Sequence, residues 1–268
     1  TVRLWVDDAA ALAWMAPDGA ERVHVMPWRD PQANEEPGDV VIEAFGCDPP
    51  AAFVQAMARR PGCVWINLEY LSAEAYVERS HGLASPQFSG PGAGLTKWFF
   101  YPGFTPATGG LLREPALAPR QAAFDRATFL AQLGVAPGAG PLVSLFAYPG
   151  APIAALLPLL ASEGAHVLAC PGPLQAELLA QAAAFPSLHA SALPWLTQPA
   201  YDALLWSCDL NLVRGEDSFV RAQWAGAPFV WQIYVQDDGV HAGKLDAFLQ
   251  RHLQDAEPAL AGAVTELS

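Results

Sequence analysis

Long apolar runs, basic residues and paired cysteines are what this chain is short of. No stretch approaches the roughly 20 apolar residues that cross a bilayer, and no segment has the charged-then-apolar form of a secretory leader, so no membrane partner is expected. Lysine and arginine number 14 against 27 acidic residues, a formal charge of −13. That field repels a phosphate backbone and argues against a nucleic-acid partner. It would suit a cationic acceptor, and it is equally ordinary for a soluble bacterial enzyme. The four cysteines, Cys47, Cys63, Cys170 and Cys208, form no CxxC pair and sit among apolar neighbours. Buried free thiols in a reducing cytoplasm are the expectation. The six histidines show no HxxxH spacing, so no metal site is expected. Glycine and proline are scattered, marking turns and not low complexity, and no internal repeat is visible.

What is present is apolar sequence, 52% of 268 residues, enough for one large or two medium domains. The second half alternates short apolar runs with amphipathic stretches. Strands are expected at 142–148, 166–170, 188–193, 210–213 and 229–234, with helices at 151–162, 174–184, 199–208, 218–225 and 241–253. Such alternation describes a parallel sheet covered on both faces. The first half is similar but less regular, with strands expected at 2–6, 22–26, 40–44 and 64–68 and helices at 9–15 and 50–59. Residues 81–112 are rich in Gly, Pro and Ser around the aromatic cluster Trp98–Tyr101, and read as a long irregular loop. The expected division is a domain at 1–118, a linker region at 119–140 with 136–141 as its best candidate, and a domain at 141–268.

Ligands of open parallel sheets sit at the carboxyl ends of strands. The densest chemistry there is Val213-Arg214-Gly215-Glu216-Asp217-Ser218, after a buried strand and opening a helix. Gly215 permits a tight turn, and Asp217 or Ser218 can cap the helix. The amides of a helix start and its dipole suit a phosphate, and Arg214 adds a permanent charge that contacts a diphosphate bidentately. Glu216, at the lip, can accept from sugar hydroxyls. An ordinary capped helix with surface charges accounts for the same spacing. Phe146 and Tyr148 follow one strand end, and Trp195 and Gln198 another; aromatic faces stack on a base and an amide bonds its edge, although each aromatic alone also fits a core role. Asn67, Glu69 and Glu74 follow a first-half strand. Asp7 and Asp8 read most simply as helix-capping residues.

The segment Asp209–Gln236, DLNLVRGEDSFVRAQWAGAPFVWQIYVQ, resembles the elongation factor P arginine rhamnosyltransferases. So do LFAYPG (145–150), NLEYLSAE (67–74) and TKWFFYPGFTPATGGLLRE (96–114), in the same order along essentially the whole chain. The resemblance implies an α/β fold of GT-B glycosyltransferase architecture, two Rossmann-like domains facing across a cleft. It also implies a cytoplasmic, inverting, metal-independent enzyme with no cofactor beyond its co-substrate, dTDP-L-rhamnose. The implied acceptor is an arginine of translation elongation factor P. Carried over by position, Phe146, Tyr148, Trp195, Gln198, Arg214, Glu216, Asp217 and Ser218 bind the donor, and Glu216 is the catalytic candidate. Position 195 is often phenylalanine in relatives, and tryptophan keeps the stacking face. Relatives begin with a strand and helix bearing the aspartate proposed as general base. That segment is expected before Thr1, and relatives continue beyond Ser268, so the chain reads as a fragment with weak donor binding and poor turnover. The alternatives are another GT-B nucleotide-sugar transferase, or a catalytically impaired donor-binding piece.

Overall fold

Four consecutive buried residues, Leu142–Leu145, can be satisfied only in a strand covered on both faces, and the computed structural model places them at the centre of a sheet. It describes residues 1–28, 35–136, 138–235 and 239–267. Residue 137 of the expected linker and Gln236, which ends the longest motif, lie outside the described residues.

In chain order the strands are β1 (Val2–Val6), β2 (Val23–Pro27), β3 (Val40–Ala44), β4 (Val64–Leu68), β5 (Ala84–Pro86) and β6 (Thr96–Phe100), then β7 (Leu142–Leu145), β8 (His166–Ala169), β9 (His189–Ala192), β10 (Leu210–Arg214) and β11 (Phe229–Gln232). The helices are α1 (Leu12–Met15), α2 (Ala51–Arg59), α3 (Tyr76–Ser80), α4 (Leu117–Ala122), α5 (Arg126–Gln132) and α6 (Ile153–Ser162), then α7 (Gln175–Ala182), α8 (Gln198–Ser207), α9 (Asp217–Ala225), α10 (Val240–His252) and α11 (Pro258–Leu267). Chain contacts group them into two units. The first holds Thr1–Ala10, Ala20–Leu112 and Ala242–Gln254; the second holds Ala11–Gly19, Arg113–His241 and Asp255–Ser268.

The second unit carries a five-stranded, all-parallel sheet in the order β11-β10-β7-β8-β9. From β7 the chain winds outward through β8 and β9, then returns to the other side of β7 for β10 and β11. The direction of winding reverses between β7 and β10, where doubly wound sheets open a crevice. One face buries Val143, Val167 and Ala169 against Leu157 of α6 and Leu178 of α7. The other buries Leu142 and Leu168 against Leu130 of α5 and Leu204 of α8. β7 and β10 are also joined by an interior polar pair. Ser144 Oγ donates to Asn211 Oδ1 at 2.6 Å, and Asn211 Nδ2 donates to the Leu205 carbonyl at 3.1 Å.

The first unit has a parallel pair, β1-β2, and a four-stranded sheet in the order β3-β4-β6-β5, with β5 antiparallel to β6. Its core packs Phe53, Val54 and Met57 of α2 on Trp65. Glu43 is buried because both its oxygens are used: Trp65 Nε1 donates at 3.0 Å and Lys97 Nζ at 2.5 Å.

Two expectations are corrected. The stretch 81–112 contains β5 and β6. The run Thr96–Phe100 is β-branched and aromatic, strong strand chemistry masked by its Gly- and Pro-rich surroundings. The cysteines are not uniformly buried: Cys170 and Cys208 are, whereas Cys63 is partly exposed and Cys47 exposed. Cys47 follows Gly46 beyond the end of β3, past the sheet that would have covered it. Among the described residues no helix is long and apolar enough to cross a membrane.

The entry to β7 sets a steric test. A Cβ on Gly140 would stand 2.1 Å from the Gly164 carbonyl oxygen, whereas one on Gly138 meets nothing within 4 Å. Gly140→Ala should cost about 1–3 kcal/mol and Gly138→Ala stay within about 0.5 kcal/mol, read by urea denaturation.

Candidate functional site

The chain leaves β10 through a turn that only a residue without Cβ tolerates. Gly215 has φ +66°, and a Cβ there would approach Tyr148 Oη at 2.7 Å. The turn is braced from β11: Trp231 Nε1 donates to the Gly215 carbonyl at 2.6 Å, and the Gly215 amide donates to the Gln232 carbonyl at 3.2 Å. Gln232 also ties down the neighbouring strand end, its Oε1 accepting from the Tyr148 amide at 2.6 Å. Trp231 in turn stacks on Phe219 of α9, centroids 3.8 Å apart at 12°. β11, none of whose residues line the cavity, thus fixes the shape of the turn.

Arg214 closes the crevice between β7 and β10. Its Nη1 donates to the Ala147 carbonyl at 3.2 Å, and its guanidinium carbon lies 4.0 Å from the Phe146 ring centroid and 4.7 Å from that of Tyr148. Among the described residues no carboxylate pairs with Arg214. It is a cation held in place by a carbonyl and two rings, with donors left for an anion. Burial raises the pKa of the Tyr148 phenol, opposed by the Arg214 charge, so it remains a donor at neutral pH.

Around this cation lies a cavity of about 310 Å³, within the range of small-molecule sites. Phe146, Tyr148, Trp195, Gln198, Arg214, Glu216, Asp217 and Ser218 all line it. Four consecutive parallel strands deliver their carboxyl ends to it: β7 brings Phe146 and Tyr148, β8 brings Cys170 and Pro171, β9 leads to Trp195 and Gln198, and β10 runs into Arg214. Every residue singled out there from the sequence therefore reaches one place.

The helix cap differs from expectation. Neither Asp217 nor Ser218 caps α9; Glu216 occupies the N-cap position and makes no side-chain cap bond. Asp217 is drawn sideways, its Oδ2 accepting from Gln198 Nε2 at 2.9 Å and from Arg221 Nε at 3.2 Å. Ser218 lies inside the helix, and its hydroxyl donates back to the Arg214 carbonyl, the i−4 bond open to an internal serine. The first-turn amides of α9 therefore remain uncapped by side chains, the condition in which a helix start receives an anion. At the other expected cap, Asp8 Oδ1 accepts from the Ala10 amide at 2.8 Å, and Ala11, the N-cap residue of α1, makes no side-chain cap bond.

Some lining residues carried no readable signal. Tyr201, three residues into α8, packs edge-on against Phe146, centroids 6.0 Å apart. Among the described residues its buried hydroxyl meets no partner with hydrogen-bond geometry, and burial drives its pKa well up. Trp14 of α1 lies 4.4 Å from Trp195, centroid to centroid. Helical spacing alone assigns both to a core. Cys170 sits in the wall, and burial pushes its thiol up to about 12, so it is a packed, unreactive group. Among the described residues no group of three or more His, Cys, Asp or Glu could hold a metal ion. An anion-receiving turn, one cation and exposed aromatic faces suit a ligand joining a flat ring system to phosphate.

Comparison with known proteins gives a consistent set of relatives. The profile of the family described as Elongation-Factor P (EF-P) rhamnosyltransferase EarP matches residues 1–268. A protein-arginine rhamnosyltransferase of Pseudomonas putida is 46% identical over 294 residues, covering 97% of this chain and 76% of the relative. One from Pseudomonas aeruginosa is 42% identical over 276 residues, covering 93% and 72%. A solved structure concerned with EarP-mediated arginine glycosylation of translation elongation factor EF-P aligns with TM-score 0.59 at 28% identity, covering 98% of this chain and 80% of that one.

Behind the cavity wall, Asp202 of α8 is buried between two arginines. Arg120 Nη2 donates to it at 2.6 Å and Arg221 Nη1 at 2.8 Å. Arg221 also reaches Glu114 at 2.7 Å, which holds that carboxyl below its ordinary range. Removing the central acid takes one partner from each cation, while Arg221 keeps Glu114 and Asp217 and Arg120 is part-exposed, so Asp202→Ala should cost about 1–3 kcal/mol of stability, measured by urea denaturation.

Proposed function

The chain belongs to the elongation factor P rhamnosyltransferase family, and from that premise we propose how its own residues carry out a transfer of rhamnose from a nucleotide sugar to an arginine of elongation factor P. The fold is α/β, of the GT-B glycosyltransferase class, with parallel sheets in both units. The observation that carries the reading is the clamp at the turn after β10. Arg214 and the uncapped start of α9 meet at the sheet's switch point, beside aromatic faces.

The donor is dTDP-L-rhamnose, whose diphosphate lies against Arg214, Ser218 and the first amides of α9. Phe146, Trp195 and Gln198 take the nucleoside: a half-exposed indole offers a stacking face, and the amide a base edge. Tyr148, fixed above Gly215, donates to a phosphate oxygen. Asp217 orients Gln198 through their hydrogen bond. In the reaction the bond from the anomeric carbon to the phosphate oxygen breaks as a guanidinium nitrogen of the acceptor bonds to that carbon from the opposite face. The electron pair leaves with the diphosphate, where Arg214 and the helix amides stabilise the growing charge. The nitrogen gives up a proton in the same passage. An arginine has a pKa of about 12.5 or above, so a carboxylate must orient it and take that proton. Glu216, at the lip of the turn, is assigned the orienting role toward donor or acceptor. No metal is invoked, and the site of action is the cytoplasm, where translation factors work.

Incubating elongation factor P with dTDP-L-rhamnose and the full-length protein, its N-terminal segment included, should add one deoxyhexose to an arginine, read by intact mass and fragmentation. Arg214→Ala and Glu216→Ala should each reduce transfer by about a hundredfold or more, the scale of losing a transition-state donor, with melting behaviour retained. Full turnover in either variant removes that residue from the site.

A further inference from the structure

The first unit carries a second group of polar side chains that the donor site does not use. It lies where β3, β4 and β6 end. These three strands are parallel, and their carboxyl ends lead into Phe45, into Glu69 and Tyr70, and into Tyr101. Glu69 is fixed by its amide, which donates to the Phe100 carbonyl at 2.9 Å, and by Asn67 Nδ2, which donates to its Oε1 at 2.6 Å. Glu74 is fixed by Ser72, whose hydroxyl donates to its Oε2 at 2.9 Å. The rings of Tyr76 and Tyr101 meet edge-on at 5.9 Å. Burial raises the pKa of the Tyr76 phenol, with Glu74 and then Glu69 adding to it; burial and then Glu69 raise that of Tyr101.

The charges in this group do not balance. Glu69 and Glu74 are half-buried, and among the described residues no lysine, arginine or histidine forms an ion pair with either. The nearby Lys244 lies over the Tyr70 ring, 5.4 Å from its centroid. A separate observation points the same way. Asn67 is only 5% exposed, and its Oδ1, on the carboxamide that grips Glu69, has no hydrogen-bond partner among the described residues. A buried acceptor left unmatched costs free energy that a ligand donor recovers. The two carboxylates and the Asn67 oxygen are acceptors without a cationic partner, and a cation that only donates matches them. Among the described residues no group of three or more His, Cys, Asp or Glu could hold a metal ion. A flat cation with many donors, able to lie on tyrosine rings, is a guanidinium.

We propose that Glu69, Glu74 and the Asn67 carboxamide oxygen, flanked by Tyr76 and Tyr101, bind the guanidinium of the acceptor arginine. The proposal rests on the transferase reading above and adds positioning residues to it. Glu69 and Glu74 select arginine by charge and geometry, and the rings exclude water from one side of it.

The test uses Glu69→Gln and Glu74→Gln in the full chain. Glutamine keeps the oxygens that accept from Asn67 and Ser72 while removing the charge, so the local fold is retained. Calorimetry with a short arginine-containing peptide should show binding that weakens about tenfold or more in each variant, the scale of a charged hydrogen bond. The same peptide with citrulline should bind the parent protein equally weakly. Thymidine diphosphate affinity should not move. In steady-state transfer, KM for elongation factor P should rise by a similar factor while KM for dTDP-L-rhamnose stays constant. Equal binding of arginine and citrulline peptides, unchanged affinity or acceptor KM in both variants, or no binding of the arginine peptide at about 1 mM would overturn the proposal. Transfer with unchanged acceptor KM sinks this site and leaves the activity standing. Glutamate-dependent arginine binding without any transfer does the reverse.

Discussion

A guanidinium held between a backbone carbonyl and two aromatic rings, at the point where a parallel sheet reverses its winding, is the constraint on which the cavity beside β10 depends. Arg214 could not hold that place by charge alone, since no acid among the described residues pairs with it. It is kept there by the Ala147 carbonyl and the faces of Phe146 and Tyr148. Those three residues are consecutive with the end of β7, and Arg214 ends β10, so the clamp exists only while the two strands stay paired. An acidic chain thereby presents positive charge at one defined point, and the surrounding negative field leaves few competing places for a phosphate.

The second shell explains why the turn has one shape. Gly215 takes a left-handed conformation, and β11 secures it through Trp231 and Gln232. The stack of Trp231 on Phe219 carries that bracing into α9. A single packed unit therefore sets the direction of both the arginine and the helix amides. Preorganised donors of this kind need not rearrange as charge develops on a leaving group.

Much of this was readable from residue pattern, and the failures have physical causes. The strand-helix alternation after residue 141 was plain because the central strands are buried apolar runs and the intervening helices turn an apolar face to them. The eight residues that share the cavity were singled out by asking which side chains follow strand ends, a rule that depends only on sheet topology. Tyr201 and Trp14 were invisible to that rule, since both sit on helices where an aromatic reads as core. The cap at α9 was misassigned because Arg221 and Gln198 compete for Asp217, one a helical turn away and the other on a different element. β6 was obscured by the glycines and prolines around it, although Thr96–Phe100 has strand chemistry of its own. The carboxylates after β4 were visible, but their lack of cationic partners is a property of three dimensions.

The hydrogen bond between Ser144 and Asn211 has an effect beyond its own energy. All-parallel sheets are assembled from contacts distant along the chain and form slowly, which gives β7 and β10 time to dock wrongly. Apolar side chains tolerate a shifted neighbour; an amide sealed in the interior does not, because any displacement leaves it with no partner to bond. Asn211 therefore favours the one alignment of these two strands in which both its bonds form, the alignment that builds the arginine clamp.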